Sequence, residues 1–292
     1  MIKKALLSGL NFLLFSNLFI ALGAVAQALL TYQLLGVKHE FHVLAFVFCS
    51  TLLIYNLSML LSKPTHPQKS PLLRVRWIYS HTRLLWSMSL ISALCLIPLG
   101  LLYLGFPAQI LMVFIGLIAL GYNVPLFTLN NRKIGLRNLP GIKLFLIAFV
   151  WAVSCVVLPI LELEHRYGFP ITFNETILLV AKRFLFICAI TIPFDIRDIY
   201  QDKLYELKTL PVLWGEKKAW QFCLALLIAY FILLIGFSKE MSPTVIALSL
   251  SLGATAWLIF KSRIERNEYF YFGYLDGTLI LQFVLVWIAN LS

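Results

Sequence analysis

Long apolar stretches recur along the whole chain, and polar connectors separate them. Each stretch is long enough to cross the hydrocarbon core of a bilayer as an α-helix, in which the backbone amide and carbonyl groups are satisfied within the segment. We therefore predict an all-α fold, a polytopic membrane protein with nine transmembrane helices in a single domain over residues 1–292. The predicted spans are residues 6–34, 41–61, 84–103, 108–127, 139–161, 176–194, 219–237, 243–260 and 269–291.

Composition agrees with this interpretation, because 61% of the residues are hydrophobic and only 13% are charged. A soluble domain of this length needs far more polar surface. The five cysteines each stand alone inside apolar runs, which is typical of small buried side chains and not of a disulfide framework or a zinc site.

Basic residues lie mainly in every second connector. Most of the 24 Lys and Arg residues fall in the N-terminal segment and in the connectors after the second, fourth, sixth and eighth spans. The other connectors hold only Lys38, Arg166 and Lys239. By the positive-inside rule, this asymmetry predicts a cytoplasmic N-terminus and an outside C-terminus, in what we expect to be a bacterial inner membrane. It also accounts for the net charge of +11 without a nucleic-acid partner.

The first span admits a second interpretation. The sequence MIKK, an apolar run and then AVAQA together resemble a signal peptide with a small-residue cleavage site. The apolar stretch is long enough to span, however, and polar Asn17 interrupts the core that a signal peptide would need. We therefore favour a retained first helix.

Three of the four aspartates in the chain fall within eight positions, at Asp195, Asp198 and Asp202. On a single helix, these spacings place all three carboxylates on one face. Three like charges repel one another unless a cation lies between them, and hard oxygen ligands suit Mg²⁺. The alternative is a solvated acidic turn at the membrane surface.

The sequence of residues 195–215 resembles the second signature of the UbiA superfamily of intramembrane prenyltransferases. That signature reads D-x-x-D-x-x-x-D, then a basic residue, T-L-P and a glycine. Here the three aspartates precede KTLP at residues 208–211 and then Gly215. Residues 121–125, GYNVP, are similar to the tyrosine-containing end of the family's fourth helix. A UbiA-type bundle of nine helices with cytoplasmic functional loops matches the predicted spans, so the resemblance covers essentially the whole chain.

The chain departs from the family at the first signature, N-D-x-x-D-x-x-x-D, which should close the second helix. When this signature is anchored on Asn56, its acidic positions are Leu57, Leu60 and Pro64. All three carboxylates are therefore missing. Half of the family's metal site is absent from this sequence.

The resemblance implies roles for several residues. Asp195, Asp198 and Asp202 would bind Mg²⁺, directly or through water. The residues implied in substrate binding are Asn56 and Lys208, which would touch the diphosphate, and Tyr122, which would line the pocket. Each has an ordinary alternative, because Asn56 could bond a neighbouring helix and the other two could be interfacial anchors.

Basic residues near the predicted site could replace the missing carboxylates and their metal. The lysine that often follows the fourth-helix tyrosine is Leu126 here, and Arg132 and Lys133 lie a little further along. Lys182 and Arg183 lie inside the sixth span, where charge is costly and often functional, although snorkelling to the outer interface is the alternative. We consider direct diphosphate contacts from Arg74, Arg76, Arg83, Arg132, Lys133 and Arg183.

The function implied by the resemblance is transfer of an isoprenyl group from a prenyl diphosphate to an aromatic, quinone-precursor or other lipid acceptor, with Mg²⁺ as cofactor. The expected partners are the diphosphate, the lipophilic acceptor and membrane lipid. The rival interpretation is a catalytically degenerate relative that binds lipid or a partner protein. A transporter gains little support, because we find no paired broken helices with intramembrane acids.

Overall fold

The computed structural model describes residues 2–64, 66–123, 127–129, 132–136, 139–204, 206–238, 240–264 and 266–291, with only the backbone of 2, 123, 127–129 and 132–134. The helices are α1 Ile2–Phe15, α2 Leu18–Leu34, α3 Phe41–Leu61, α4 Leu73–Ser80, α5 Thr82–Pro98, α6 Phe106–Asn123, α7 Ile142–Ala152, α8 Leu158–Tyr167, α9 Phe173–Arg197, α10 Ile199–Leu204, α11 Leu210–Trp214, α12 Glu216–Gly236, α13 Pro243–Lys261 and α14 Asp276–Ala289. An antiparallel hairpin of β1 Phe127–Leu129 and β2 Arg132–Ile134 follows α6.

Within the described ranges, seven helices are long and apolar enough to cross a membrane. They are Phe41–Leu61, Thr82–Tyr103, Ile142–Tyr167, Phe173–Arg197, Glu216–Gly236, Pro243–Lys261 and Phe270–Ala289. The bent pair of α1 and α2 makes an eighth if it is one span, and Phe106–Tyr122 is a shorter apolar helix. The predicted all-α membrane fold class is confirmed, whereas the count of nine spans stays a prediction.

The first predicted span is a pair of helices and not the single helix that the hydrophobic pattern indicated. The two segments are bent by 59° relative to each other. Asn17 lies at the bend with φ 67°, in the left-handed region that asparagine tolerates better than most residues. Its Nδ2 atom donates to Asn56 Oδ1 of α3 at 2.7 Å. The polar residue in the apolar run therefore marks a bend that is fastened to the neighbouring helix.

Helix α2 lies at the centre of the bundle. It packs against α3 on one side and α14 on the other, and the segment Val153–Val157 between α7 and α8 packs back onto it. Small residues permit this close approach, since a Cβ atom on Gly23 would lie only 3.1 Å from Leu279 Cδ1 of α14. From α14, the packing continues through α13, α12 and α9 to α7. This arrangement brings the ends of α3, α7 and α9 to a common region.

Candidate functional site

The aspartate motif does not lie on one continuous helix. Helix α9 ends at Arg197, Asp198 is its C-cap, and α10 begins at Ile199. The single continuous helix that the prediction assumed is therefore interrupted at Asp198. Asp195 and Asp202 both approach one cation from another helix, whereas Asp198 binds its own chain neighbour.

Lys143 of α7 lies between two of these carboxylates. Its Nζ atom donates to Asp195 Oδ1 at 2.6 Å and lies 3.9 Å from Asp202 Oδ2. The lysine side chain is 20% exposed, and the two carboxylate side chains are 3% and 7% exposed. Burial raises the pKa of Asp202 above its ordinary value, and the charge of Lys143 opposes this shift.

A backbone contact positions Lys143 over the aspartates. Gly141, directly before α7, has φ 71° and donates its backbone amide to the carbonyl oxygen of Lys208 at 2.8 Å. Residues with side chains rarely adopt this φ, and a Cβ atom here would also meet Leu210 at 3.4 Å. The KTLP segment thus holds the start of α7, while the Lys208 side chain itself is exposed.

The third aspartate is paired with an arginine. Arg197 donates from Nε to Asp198 Oδ1 at 2.8 Å and from Nη2 to Oδ2 at 2.9 Å. Its guanidinium carbon lies 4.8 Å from the ring centroid of Tyr271 and 5.1 Å from that of Phe272. The guanidinium of Arg74 lies over the same Phe272 ring at 4.1 Å, so two cations share one aromatic platform.

A series of side-chain hydrogen bonds connects Arg74, which lies over the Phe272 ring, to the end of α3. Arg74 donates from Nη2 to Asn17 Oδ1 at 2.5 Å, and Asn17 donates in turn to the buried Asn56. The first turn of α4 is fixed by Glu268, whose carboxylate accepts from the backbone amides of Leu73 and Arg74, each at 2.7 Å. Burial and the neighbouring Arg197 lower the pKa of Arg74 to about 10, which leaves it charged at neutral pH.

Three buried nitrogen donors in this region have no hydrogen-bond partner in the described part of the chain. They are Asn56 Nδ2, Arg74 Nε and Arg197 Nη1. An unsatisfied buried donor costs free energy, about 1–3 kcal/mol and more when it is charged. Donors of this kind are suited to an anionic ligand.

Three cavities follow one another from this polar region into the bundle. The first, of about 140 Å³, is lined by Asn17, Arg74 and Asp276 and by aromatic side chains. The second, of about 200 Å³, shares Tyr55 and Arg74 with it and is otherwise mainly apolar. The third, of about 270 Å³, shares Tyr55 and Trp151 with the second. Trp151 Nε1 donates to the Tyr55 hydroxyl at 3.2 Å, at the junction of the two apolar cavities.

Asp276 is a residue of this region that the sequence motifs missed. It is the fourth aspartate of the chain, at the start of α14, and it lines the same cavity as Arg74. The signal was an acidic residue inside an apolar span, which is usually functional. No motif in the primary structure links it to Arg74, because the two residues lie far apart along the chain.

Only some of the other predicted substrate-binding residues lie near the three cavities. Tyr122 lines the second cavity, and its role in substrate binding stays a prediction. The side chains of Arg132 and Lys133, and all of Leu126, lie outside the described residues. Arg183 is 5% exposed and donates to the Gln27 carbonyl at 3.1 Å. It precedes Asp195 by 12 positions of α9, about 18 Å along the axis, so the structure does not bring it to the site.

Neither of the other two arginines after α3 joins the polar region. Arg76 donates to the carbonyl oxygens of Ser70 and Pro71 at 2.5 and 3.1 Å, within its own connector. Arg83 lies at the start of α5 and does not line any of the three cavities. Of the three, only Arg74 lines the polar cavity.

The described residues hold no cluster of three candidate metal ligands. No three His, Cys, Asp or Glu side chains among them converge as metal ligands. Leu57, Leu60 and Pro64 offer no carboxylate, and the three aspartates of the second motif already have basic neighbours. Lys143 and Arg197 thus lie beside the aspartates that the resemblance assigns to Mg²⁺.

Comparison with protein-family models finds no match, and comparison with curated proteins finds none either. Solved structures do match. A UbiA homologue from Archaeoglobus fulgidus bound to GPP and Mg²⁺ superposes with a TM-score of 0.66 at 12% identity, covering 97% of this chain and 100% of that one. A UbiA homologue from the same organism bound to DMAPP and Mg²⁺ gives 0.62 at 13% identity, covering 95% and 99%. The apo structure of a UbiA homologue from Aeropyrum pernix K1 gives 0.57 at 16% identity, covering 95% of both chains. The protein therefore has the fold of the UbiA superfamily.

Proposed function

We propose that the protein is a UbiA-type enzyme that binds an isoprenyl diphosphate and transfers its prenyl group to a lipophilic acceptor. The observation that carries this proposal is the combination of unsatisfied cationic donors with apolar cavities that begin beside them. A ligand that fills such a site has an anionic head and an apolar tail. Prenyl diphosphates have this shape, and the GPP and DMAPP bound to the Archaeoglobus homologues support the choice.

The head group is assigned to the region of Arg74, Arg197 and Asn56. Of these residues, Arg74 lines the polar cavity, and its free Nε atom can make a charge-assisted hydrogen bond to a phosphate oxygen. Asn56 and Arg197 lie beside it, through Asn17 and the Phe272 ring. Both guanidinium groups lie over the Phe272 ring, which attracts them by cation–π contact and carries no negative charge. Burying a diphosphate without such partners would cost several kcal/mol.

The tail is assigned to the two apolar cavities. The first of them begins at Arg74, so a chain whose diphosphate contacts this residue can extend past Tyr55 and Tyr122. The Tyr55–Trp151 pair then stands between this cavity and the deeper one. We infer that this pair limits how far the tail extends.

The reaction would begin with ionisation of the C–O bond between the prenyl group and the diphosphate. Negative charge then grows on the leaving diphosphate, where the cations of the chain stabilise it. The allylic cation is attacked by an electron-rich acceptor, which forms the new bond and loses a proton. We assign that proton to Asp276, the carboxylate in the polar cavity.

The test is incubation of membranes that contain the protein with labelled prenyl diphosphates of several chain lengths, followed by profiling of the lipid products. A prenylated lipid that is formed by the parent and lost in Asp276→Asn supports the proposal. Unaltered diphosphate at every length would contradict it.

The missing carboxylates favour a second candidate function. A relative with Leu57, Leu60 and Pro64 in place of the acids could bind a prenyl diphosphate or another lipid without catalysis. Binding by the purified protein without product formation is the result that would support this alternative over the enzyme.

We also propose that the chain is one membrane domain whose N-terminus and aspartate motif face the cytoplasm and whose C-terminus lies outside. The distribution of Lys and Arg between the connectors supports this orientation. Reporters fused in the connector after α3 and at the C-terminus should report opposite sides. The magnesium site at the aspartates stays a prediction, and so does the absence of a nucleic-acid partner.

A further inference from the structure

We propose that the Lys143 ammonium occupies the position between Asp195 and Asp202 at which a divalent ion would otherwise bind. The inference deepens the proposed function, because it assigns the metal's charge-balancing role to a side chain. It concerns the unliganded protein, however, and can be tested without any prenyl diphosphate.

The geometry gives Lys143 two carboxylate neighbours on different sides of a helix break. Its ammonium bonds Asp195 at 2.6 Å from α9 and lies 3.9 Å from Asp202 in α10. Two nearly buried carboxylates repel each other unless a cation lies near both. A lysine ammonium is a compact point charge, so it donates to Asp195 and balances the charge of Asp202 from 3.9 Å. Asp202 Oδ2 itself has no hydrogen-bond partner among the described residues.

The remaining acid is not free to recruit a metal either. Both oxygens of Asp198 accept hydrogen bonds from Arg197, at 2.8 and 2.9 Å. Mg²⁺ demands near-ideal octahedral oxygen geometry and gives up water reluctantly. An ion at this motif would have to displace Lys143 and would gain no carboxylate from positions 57, 60 or 64.

Backbone contacts and helix packing place Lys143 beside the aspartates. The contact from the Gly141 amide to the Lys208 carbonyl holds the first turn of α7 beside the motif. Helices α7 and α9 also pack directly against each other. The ammonium is therefore held at the carboxylates by backbone structure on both sides.

Direct Mn²⁺ binding, followed by electron paramagnetic resonance on the purified protein without prenyl diphosphate, tests the inference. We expect weak binding by the parent. Lys143→Met removes the competing charge with little loss of apolar volume, so it should bind Mn²⁺ at least about tenfold more tightly, a change of about 1.4 kcal/mol. Lys143→Arg keeps a cation at this position and should stay as weak as the parent.

Two controls separate this effect from a general loss of positive charge. Lys203→Met removes an exposed lysine adjacent to Asp202 and should leave Mn²⁺ binding unchanged. Adding Asp195→Asn to Lys143→Met should abolish the gain, because the gain depends on that carboxylate. Thermal unfolding in detergent checks that each variant is folded.

Tight binding of Mn²⁺ by the parent, with a Kd below about 0.1 mM, would overturn the inference even if Lys143→Met did not fold. Equal binding by the parent and by folded Lys143→Met would overturn it too. Both results are independent of whether the protein transfers a prenyl group. Failure of the proposed function would instead show as absence of prenyl products.

Discussion

The ends of α3 and α9 offer an instructive comparison, because the family resemblance places an acidic motif at both. At the end of α3, the carboxylates are gone and only Asn56 remains, bonded to Asn17 and through it to Arg74. At the end of α9, all three aspartates remain, but basic side chains lie beside them. The end of α3 therefore lacks the acidic residues, whereas the end of α9 has them paired with basic side chains.

Both differences move the site in the same electrostatic direction. A centre with two acidic motifs needs imported cations to hold an anion. Here Lys143 and Arg197 already balance the aspartates, and Arg74 lines the polar cavity in which an anion would lie. In a water-poor region, such fixed charges act strongly because little solvent screens them. Under the proposed function, the difference between the two helix ends favours binding of the anionic head group with a reduced need for metal.

The largest effect that we expect is on the free energy of unfolding, when the buried Lys143–Asp195 pair at the end of α9 is broken. Asp195→Asn leaves the Lys143 ammonium without its close partner and should lower the free energy of unfolding by about 3 kcal/mol. Asp198→Asn breaks a pair whose carboxylate is 26% exposed, so water can replace part of the lost contact and the cost should be smaller than that of Asp195→Asn. Chemical denaturation in detergent measures both.

The double variant Lys143→Met, Asp195→Asn sharpens this result. It should recover much of the lost stability, because it removes the uncompensated charge. Equal destabilisation by the two single aspartate variants would mean that the two pairs do not differ in the way their burial implies.

The helical fold class could be predicted from the sequence, since it follows from local hydrophobicity. Asn56 and the roles of the aspartates came from the family resemblance, and these roles stay predictions. The sequence did not predict the bend at Asn17, because a long apolar run resembles one helix until a tertiary hydrogen bond is known. The contact between Lys143 and Asp195 was missed for a similar reason. The two residues are 52 positions apart, and only helix packing brings them together.

An intermediate effect concerns the apolar half of the site. Trp151→Ala should join the two apolar cavities and shift the preference towards longer prenyl diphosphates by about fivefold, or about 1 kcal/mol. Trp151→Phe keeps most of the ring but loses the hydrogen bond to Tyr55, so it should alter length preference little. Competition binding with geranyl and geranylgeranyl diphosphate measures the ratio. An unchanged ratio in Trp151→Ala would remove the pair as a limit on tail length.

The smallest effect should come from a charge outside both helix ends. Arg183→Met removes a buried guanidinium that bonds Gln27 and lies about 18 Å from the aspartates along α9. Prenyl diphosphate affinity, measured by the same competition assay, should stay within about twofold of the parent. A loss of tenfold or more would place Arg183 in the head-group site after all.

The central claim, that the chain's own cations hold the diphosphate, is tested most directly by titrating farnesyl diphosphate into the purified protein with Mg²⁺ and with EDTA. We predict that EDTA weakens binding by no more than about threefold, whereas Arg74→Gln weakens it by more than about tenfold, or 1.4 kcal/mol. Arg76→Gln, two positions along the same helix and bonded within its own connector, should bind like the parent. Binding that EDTA abolishes and that Arg74→Gln leaves unchanged would contradict the account.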